Sequence, residues 1–257
     1  MDLELEDKVA IVTGGTQGIG RATAARLSRE GARVVIAARG REQLDRAAAE
    51  IRSFGGHVAA VQADVSQTED CARLVAEAVR VFGRLDILVN NAGTSATGPF
   101  ESVADETWQA DLDLKLFAAI RLSRMAIPHM KAQRGGRIVN ITNIGAKQPR
   151  ARSTPTSVTR AAGLALTKAL SKEFAPDNIL VNTVCIGLVR AGQHERKAAK
   201  TGVPLEELYA DMAKDIPLGR VGHADEVARV ITFLVSAAAS YVTGTSINLD
   251  GGASAVM

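Results

Sequence analysis

The chain has 257 residues, of which 46% are hydrophobic, and this apolar content excludes a disordered protein and suffices for the core of one large α/β domain. The net charge is only +3 and the charged residues are scattered, which argues against a nucleic-acid-binding protein. Two cysteines, no apolar run of about 18 residues and no secretory signal pattern predict a soluble, cytoplasmic protein that does not span a membrane.

The first predicted elements are a strand, a glycine-rich turn and a helix. Val9–Thr13 is an apolar run with β-branched residues, which is typical of a buried parallel strand. Gly14, Gly18 and Gly20 follow, and an amphipathic helix begins after Gly18. Free backbone N–H groups and the helix dipole favour phosphate at such a turn, and glycine lets the backbone approach closely. The stretch therefore predicts a binding site for a dinucleotide pyrophosphate.

Strand and helix signals then alternate along the chain. Further strands are predicted at Arg33–Ala38, His57–Ala63, Asp86–Asn90, Arg137–Thr142, Asn178–Val184 and Thr245–Leu249. Helices are predicted at Arg41–Phe54, Gln67–Phe82, Asp105–Gln133, Thr156–Phe174 and Ala224–Ser236, and a long polar segment, Arg190–Gly219, interrupts the alternation. Repeated β-α-β units predict an α/β fold with a parallel sheet covered on both faces, and a ligand at the carboxyl ends of the strands.

Four ordered motifs resemble the short-chain dehydrogenase/reductase (SDR) family, most closely its classical branch, which includes the ketoacyl reductases. They are Thr13–Gly20, Asp64–Val65, Asn90–Gly93, and Pro217–Arg220 through Asp250–Gly252. The resemblance covers nearly the whole chain. It implies a doubly wound, seven-stranded Rossmann sheet in one domain over residues 1–257, with a nicotinamide cofactor and no metal.

The end of the second strand predicts which nicotinamide cofactor binds. It reads Ile36-Ala-Ala-Arg39-Gly-Arg41, without the acid that would bond a ribose 2′-hydroxyl, and Arg39 suits a 2′-phosphate. NADP(H) is therefore favoured over NAD(H), the alternative being a solvated arginine at a helix start. The turn and the resemblance together assign the cofactor to Gly14, Thr16, Gln17, Gly18, Ile19, Gly20, Arg39, Asp64, Val65, Asn91, Ala92, Gly93, Arg160, Gly187 and Val189.

The sequence departs from the family at the four positions that carry its chemistry. The family uses an Asn, a Ser, a Tyr and a Lys, with the Tyr as proton donor. The corresponding positions here are Lys115, Asn143, Thr156 and Arg160, in that order. The interval from Asn143 to Thr156 matches the family's Ser-to-Tyr spacing, so a shift of register does not explain the change.

These replacements predict a cationic site rich in hydrogen-bond donors. Thr156 is a far weaker acid than a phenol, whose pKa is about 10, and Arg160 stays protonated. Lys115 is the only replacement that titrates, and burial beside Arg160 is expected to lower its pKa, so it is the candidate acid or base. Alternatively, Lys115 forms a helix-surface ion pair with Asp111, four residues earlier, and Asn143 only satisfies a strand end.

Residues from about 188 to 219 are interpreted as a substrate lid. Cationic or titratable side chains are expected near the cleft mouth at Arg190, His194, Arg196, Lys197 and Lys200 of this lid and at Lys147, Arg150 and Arg152 of the loop after Asn143. Either these charges are simply solvated, or they attract an anionic substrate such as a carboxylate or the phosphates of a thioester.

The leading hypothesis is an NADP(H)-dependent oxidoreductase that acts on a small carbonyl, alcohol or conjugated enone. The alternatives are a non-redox lyase, hydratase or isomerase on the same scaffold, and a catalytically silent cofactor-binding subunit. The resemblance also implies a homotetramer, with one contact formed by helices 105–133 and 156–175 and another by Ser240–Met257. The first contact is expected to use outward-facing Ala118, Ala119, Leu122, Ala165, Leu166, Ala169 and Leu170.

Overall fold

The computed structural model describes residues 2–257, and for Arg196 and Lys197 it describes the backbone only. The strands are β1 (Val9–Thr13), β2 (Arg33–Ala38), β3 (Val58–Gln62), β4 (Ile87–Asn90), β5 (Thr97–Gly98), β6 (Gly136–Asn143), β7 (Thr154–Pro155), β8 (Ile179–Ile186) and β9 (Ser246–Leu249). The helices are α1 (Gly18–Arg29), α2 (Arg41–Ser53), α3 (Thr68–Phe82), α4 (Asp105–Leu112), α5 (Ala118–Ala132), α6 (Thr156–Glu173), α7 (Gly192–Thr201), α8 (Leu205–Ala213) and α9 (Ala224–Val235).

Seven strands form one parallel sheet in the order β3-β2-β1-β4-β6-β8-β9. The chain builds outward from β1 to β3 on one side and then from β4 to β9 on the other. The order therefore reverses between β1 and β4, and the carboxyl ends of these two strands border a crevice where such sheets bind ligands. This is the doubly wound, seven-stranded sheet that the alternating pattern and the SDR resemblance predicted.

The two faces of the sheet bury two separate cores because successive side chains of a strand point to opposite faces. On one face, Ala10 and Val12 of β1 pack with side chains of α1, α2 and α9. On the other, Val9 and Ile11 pack with side chains of α3 and α5. All four residues are buried, which explains why β1 appears in the sequence as a continuous apolar run.

The prediction of one long helix over residues 105–133 is wrong in one respect. A five-residue π-helical turn, Asp113–Phe117, separates α4 from α5, and Lys115 lies at its centre. A π turn inserts one extra residue into a helix and rotates the following side chains, and such turns are frequent at functional sites. Helical periodicity over so long an apolar stretch does not reveal a single added residue.

The polar segment 190–219 also contains structure that its sequence did not predict, namely α7 and α8. The expected outward face of helix 105–133 is wrong as well, because Ala118, Ala119 and Leu122 are buried in the chain's own core. On α6, by contrast, Ala165 and Ala169 are exposed. Among the described residues, no helix is long and apolar enough to cross a membrane.

Candidate active site

A cleft of about 540 Å³ opens at the carboxyl ends of the strands, where the sheet order reverses. Its floor is the β1–α1 turn, from which Thr16, Gln17, Gly18 and Ile19 line it. The N-cap residue of α1, Gln17, makes no side-chain hydrogen bond to the helix. The first N–H groups of α1 are therefore left for a ligand, and the positive end of the helix dipole faces the same space.

Glycine is required at two positions of this turn, for a different structural reason at each. Gly18 has φ of +51°, and a Cβ there would project into free space inside the cleft. A Cβ at Gly20 would lie 2.2 Å from the carbonyl oxygen of Gly14, so only glycine lets α1 start this close to the turn. The open cradle and the uncapped helix fit the pyrophosphate of a dinucleotide.

The adenosine end of the cleft is cationic. Arg39, Gly40 and Gln43 line it, and none of the described lining residues is acidic. Gln62 donates a hydrogen bond to the carbonyl oxygen of Arg39 (2.8 Å), which fixes the backbone that carries the guanidinium. Arg41 instead pairs with Asp45 at 3.0 Å, so Arg39 is the arginine available to a 2′-phosphate.

Most predicted cofactor residues line this cleft: Gly14, Thr16, Gln17, Gly18, Ile19, Arg39, Asn91, Ala92, Gly93, Arg160, Gly187 and Val189. Gly20 supports the turn from behind. Asp64 and Val65 are not among the lining residues, since Asp64 accepts hydrogen bonds from Ser66 and Val65 is buried in the core. Their assignment to the adenine end of the cofactor stays a prediction.

Sequence reasoning missed the role of Thr13 in holding the cleft wall. The Thr13 hydroxyl accepts hydrogen bonds from the backbone N–H groups of Asn91 and Ala92, at 2.9 and 3.0 Å, and the Asn91 side chain donates to the Thr13 carbonyl at 2.8 Å. These bonds join the ends of β1 and β4. A buried threonine inside a strand carries no signal of this role in the sequence.

Behind the cleft, Lys115, Asp111 and Thr156 form a buried polar network. The Lys115 ammonium forms an ion pair with the Asp111 carboxylate, and both side chains are only 1% exposed. Lys115 also donates to the Thr156 hydroxyl at 2.9 Å, which lies 3.2 Å from the same Asp111 oxygen. The ion pair that the i, i+4 spacing suggested therefore forms, but in the interior and not on a helix surface.

The Thr156 hydroxyl is held by the chain itself. It lies 3.0 Å from both the backbone N–H and the carbonyl oxygen of Ala96, in addition to its contacts with Lys115 and Asp111. Thr156 is not among the residues that line the cofactor cleft. The hydroxyl at the family's Tyr position thus serves the buried network and does not face the cleft.

Arg160 connects the network to the cleft. It lines both the cofactor cleft and a small cavity of about 20 Å³ that Lys115 also lines. One guanidinium nitrogen donates to the carbonyl oxygen of Ile141, and a Cβ at Gly93 would lie 2.7 Å from another. The Arg160 Nε is buried and has no hydrogen-bond partner among the described residues, so one of its donors is left unused in the interior.

Lys115 and Arg160 differ in the pH at which they lose their protons. Burial is the main cause that lowers the pKa of Lys115 to about 8; the hydrogen bond to Asp111 opposes this shift, and the positive charge of Arg160 adds to it. Burial lowers the pKa of Arg160 to about 10, and Asp111 opposes that shift. At neutral pH Arg160 therefore stays positively charged. Lys115, with a pKa of about 8, gains and loses its proton close to neutral pH.

Asn143 stands at the end of β6, as predicted. Its side-chain oxygen is buried and accepts no hydrogen bond from the described part of the chain. A Cβ on Gly145 would approach this oxygen to 3.1 Å, so the small residue leaves room beside it. A buried amide oxygen without a partner costs free energy. Asn143 is not among the residues that line the cofactor cleft or the small cavity beside Arg160.

Only some of the cationic or titratable side chains expected at the cleft mouth are found there. Arg190 and His194 line the cleft, but Arg190 is neutralised by a two-bond ion pair with Glu206, at 3.0 Å, and stacks on the Tyr209 ring. Lys147 points elsewhere, because its ammonium donates to Ser246 and Asn248 of β9, which corrects the expectation for this residue. Exposed side chains are found at Lys200, Arg150 and Arg152, and the side chains of Arg196 and Lys197 lie outside the described residues.

Comparisons with known proteins agree with this architecture. The family model described as enoyl-(acyl carrier protein) reductase matches residues 14–254. The 3-oxoacyl-[acyl-carrier-protein] reductase FabG of Thermotoga maritima is 34% identical over 253 residues, which cover 97% of this chain and 99% of that protein.

Two solved structures superpose on the whole chain. L-sorbose reductase from Gluconobacter frateurii, complexed with NADPH and L-sorbose, has a TM-score of 0.95 and 34% identity, with full coverage of both chains. A short-chain oxidoreductase from Pseudomonas aeruginosa PAO1, described as containing an atypical catalytic center, has a TM-score of 0.93 and 35% identity, again with full coverage of both. With its sheet order, its glycine-rich turn and these relatives, the chain belongs to the short-chain dehydrogenase/reductase family.

Proposed function

We propose that this protein is an NADP(H)-dependent oxidoreductase that interconverts a small carbonyl compound and its alcohol, or reduces a conjugated enone, with a rebuilt catalytic group. Its members are Lys115, Asn143, Thr156 and Arg160, supported by Asp111. The observation that carries the proposal is the position of Arg160, which lines both the cofactor cleft and the cavity beside the buried lysine.

The cofactor residues divide the cleft into regions of distinct chemistry. The amino terminus of α1 would hold the pyrophosphate, and Arg39 with Gln43 would hold the 2′-phosphate, because this end carries a guanidinium and no carboxylate. Gly187 and Val189 would contact the nicotinamide end through their backbone. When bound, NADP(H) supplies or accepts the hydride. The NADPH held by the sorbose reductase structure supports the same preference.

Arg160 would stabilise negative charge that develops on the substrate oxygen. A fixed guanidinium in a site shielded from water acts on such charge far more strongly than it would in solvent. The Asn143 amide would hold the same oxygen, donating to a carbonyl or accepting from a hydroxyl. For an enone the developing charge is an enolate, so a strong acid at the Tyr position is not required.

Lys115 would supply the proton that Thr156 cannot. Its ammonium lies behind Arg160, so a direct transfer to the cleft is not available. The cavity between them measures about 20 Å³, and Asn90, Asn140 and Thr142 contribute to its polar lining. A cavity of about 10 to 15 Å³ already holds one water when polar partners are present, so one water would complete a relay from Lys115 to the cleft.

The first experiment is a fluorescence titration of the protein with NADPH and NADH. We expect NADPH to bind at micromolar concentration, and we expect Arg39→Asp to weaken it at least a hundredfold while NADH binding changes little, since the variant repels only the 2′-phosphate. Arg46→Asp is the matched control: Arg46 is exposed on α2 and is not among the cleft-lining residues. If Arg39→Asp binds NADPH as tightly as the parent protein, the cofactor assignment fails.

A screen of carbonyl and enone compounds with NADPH then separates the three hypotheses. Substrate-dependent oxidation of NADPH supports the oxidoreductase. Product formation without added cofactor would indicate a non-redox enzyme, and tight NADPH binding without turnover would indicate a silent subunit. One observation favours the silent subunit: the Thr156 hydroxyl is already hydrogen-bonded to Ala96 and Lys115.

The segment 188–219 is proposed as the substrate lid. It has its own small core, in which Tyr209 and Ile216 pack with Val221, and it reaches the cleft through Arg190 and His194. Because Glu206 neutralises Arg190, an anionic substrate has less support than an uncharged one among the described side chains. Cytoplasmic location and a homotetramer remain part of the proposal.

A further inference from the structure

A second cavity, of about 210 Å³, lies on the opposite side of the molecule from the cofactor cleft. It is formed where β1, β4, β6 and β8 begin, next to the carboxyl end of α5. Its volume is below the range of about 300 to 1,000 Å³ that drug-sized ligands occupy, so it suits a small ligand only. None of the residues that line it takes part in the proposed reaction.

The cavity is cationic. Four basic side chains line it, and Glu4 and Asp86 are the only acidic residues among those lining it that the structure describes; the basic ones are Lys8, Arg84, Arg134 and Arg137. Asp86 is fully engaged by Arg84, through two bonds of 2.8 and 2.6 Å, and by the backbone N–H of Val9. Glu4 is exposed at the rim. The remaining positive charge belongs to the other three basic residues.

Arg137 is the most informative of these residues. It is partly buried, its Nε has no hydrogen-bond partner among the described residues, and its Nη1 donates only to the carbonyl oxygens of Gly136 and Asn178. Burial lowers the pKa of Arg137, and no carboxylate offsets that effect. Burying part of a guanidinium without an anion costs free energy, and proteins ordinarily pair such a charge.

Arg134 reaches the same cavity from an unfavourable backbone conformation. Its φ is +60°, in the left-handed region that favours glycine. The neighbouring Gly135 does not take this conformation in its place. No ion pair of Arg134 is found in the described part of the chain. Arg134 is exposed, and it adds a second guanidinium without an ion pair to the cavity lining.

We propose that this cavity is a binding site for a small dianion, a phosphate or a dicarboxylate, held chiefly by Arg137 with Arg134 and Lys8. Guanidinium groups bind both anions through paired hydrogen bonds, and Arg137 bonds to the described part of the chain through Nη1 alone, so Nη2 is the donor left for an anion. The site is separate from the reaction and does not depend on the proposed function. Its occupant would tie the amino ends of β4, β6 and β8 together, and it would therefore stabilise the fold.

The test is a calorimetric titration of the cofactor-free protein with inorganic phosphate and, separately, with succinate, at constant ionic strength. We expect saturable binding of at least one of these probes, and at least a tenfold loss of affinity in Arg137→Gln. Arg39→Asp shows whether the probe enters the cofactor cleft instead, and Arg46→Gln controls for general loss of positive charge. Arg46→Gln is expected to bind like the parent protein, and Arg39→Asp is expected to keep the binding event that Arg137→Gln weakens.

Lys8→Gln is a second variant, for the case in which Arg137→Gln does not fold, and it is also expected to weaken binding. Comparison of the two probes identifies which kind of dianion fits. Three results would overturn the proposal: no saturable binding of either probe, unchanged affinity in Arg137→Gln or Lys8→Gln, and equal weakening in Arg46→Gln. A loss of binding in Arg39→Asp alone would place the anion in the cofactor cleft.

Discussion

Lys115 lies where burial makes its positive charge unfavourable and lowers its pKa toward neutral pH. Its side chain is 1% exposed, and the adjacent Asp111 compensates only in part for the loss of water. The partner carboxylate has a second oxygen, Oδ2, that is buried without a partner in the described structure. A buried, incompletely satisfied ion pair with a shifted lysine pKa next to a cofactor cleft is a candidate reaction group.

Lys115→Met is therefore expected to lower turnover by about a hundredfold or more, the usual size of a general acid's contribution, while NADPH affinity stays within a few-fold of the parent. In the parent, the reduction rate is expected to fall as the pH rises through about 8, because only the protonated ammonium donates; in the variant this limb disappears. Steady-state rates from pH 6 to 10 measure both effects.

Lys172→Met is the matched control, since Lys172 is exposed on α6. It should keep the turnover and the pH limb of the parent. A Lys115→Met protein with parental turnover, or one that keeps the limb near pH 8, would remove Lys115 from the mechanism and leave the ion pair with Asp111 as a structural contact.

Single residues show what the sequence could and could not predict of the site. Thr16 to Gly20 could be predicted because a glycine-rich turn between a strand and a helix is a local backbone requirement. Arg39 could be predicted because it directly follows β2. For Lys115 the sequence left two alternatives open, burial beside Arg160 and a surface ion pair with Asp111, since the i, i+4 spacing is the same on a helix surface and in a core. The small cavity beside Arg160 is lined by residues of β1, β4, β6, α5, α6 and the π turn, and no local pattern in the sequence reveals such a meeting of six elements.

The elements themselves followed the sequence closely where local rules decide them. β1 and β2 were predicted with their observed bounds, and α1 begins at the glycine that ends the turn. The π turn over Asp113–Phe117, which contacts α6, was not predicted, because helical periodicity does not show where one residue is added. The only sequence sign at this point is a lysine where the family has an asparagine.

Helix α9 supports the cofactor turn from a distance, because its buried face packs against α1. Its start is closed by a capping box in which the Glu226 side chain accepts from the His223 backbone N–H at 2.8 Å. Arg220 binds the same carboxylate through two bonds, and these contacts lower the pKa of Glu226 to about 2. This carboxylate joins the loop before α9 to its first turn.

Glu226→Ala is expected to cost about 1 kcal/mol of unfolding free energy at neutral pH, the usual size of a lost cap at an exposed site. The folded-state pKa of Glu226 lies below its ordinary 4.5, so the contribution is complete above pH 4.5 and is lost as the pH falls toward 2. The difference between the two proteins should therefore shrink over that interval in urea denaturation.

Glu207→Ala removes another exposed glutamate from the first turn of a helix, α8, and serves as the control. It should lower stability by a few tenths of a kcal/mol, as usual for a surface change. A stability difference for Glu226→Ala that stays constant from pH 5 to pH 3 would show that the carboxylate charge is not what stabilises α9.

At the scale of the whole molecule, α6 carries both proposed catalytic residues and a surface that suits the proposed tetramer. Thr156 and Arg160 lie on its first turns, and their neighbours on the solvent side form an exposed stripe of apolar residues. The stripe consists of Val158, Ala161, Ala165 and Ala169, spaced so that they share one helical face. Small side chains allow two helices to pack closely, and an exposed apolar face on a helix marks a contact surface.

Ala165→Arg is therefore expected to break one interface of the proposed tetramer and to reduce the mass measured by light scattering to about half. A bulky charge in a small-residue contact is overpacked and leaves a buried guanidinium unpaired. Ala49→Arg, at an exposed position of α2, is the control and should keep the parental mass. Turnover should fall with the mass of Ala165→Arg, because the packing that holds α6 also holds Arg160 at the cleft.

A parent protein that is monomeric would refute the tetramer. An Ala165→Arg protein that still assembles would place the interface on another surface, such as the edge strand β9.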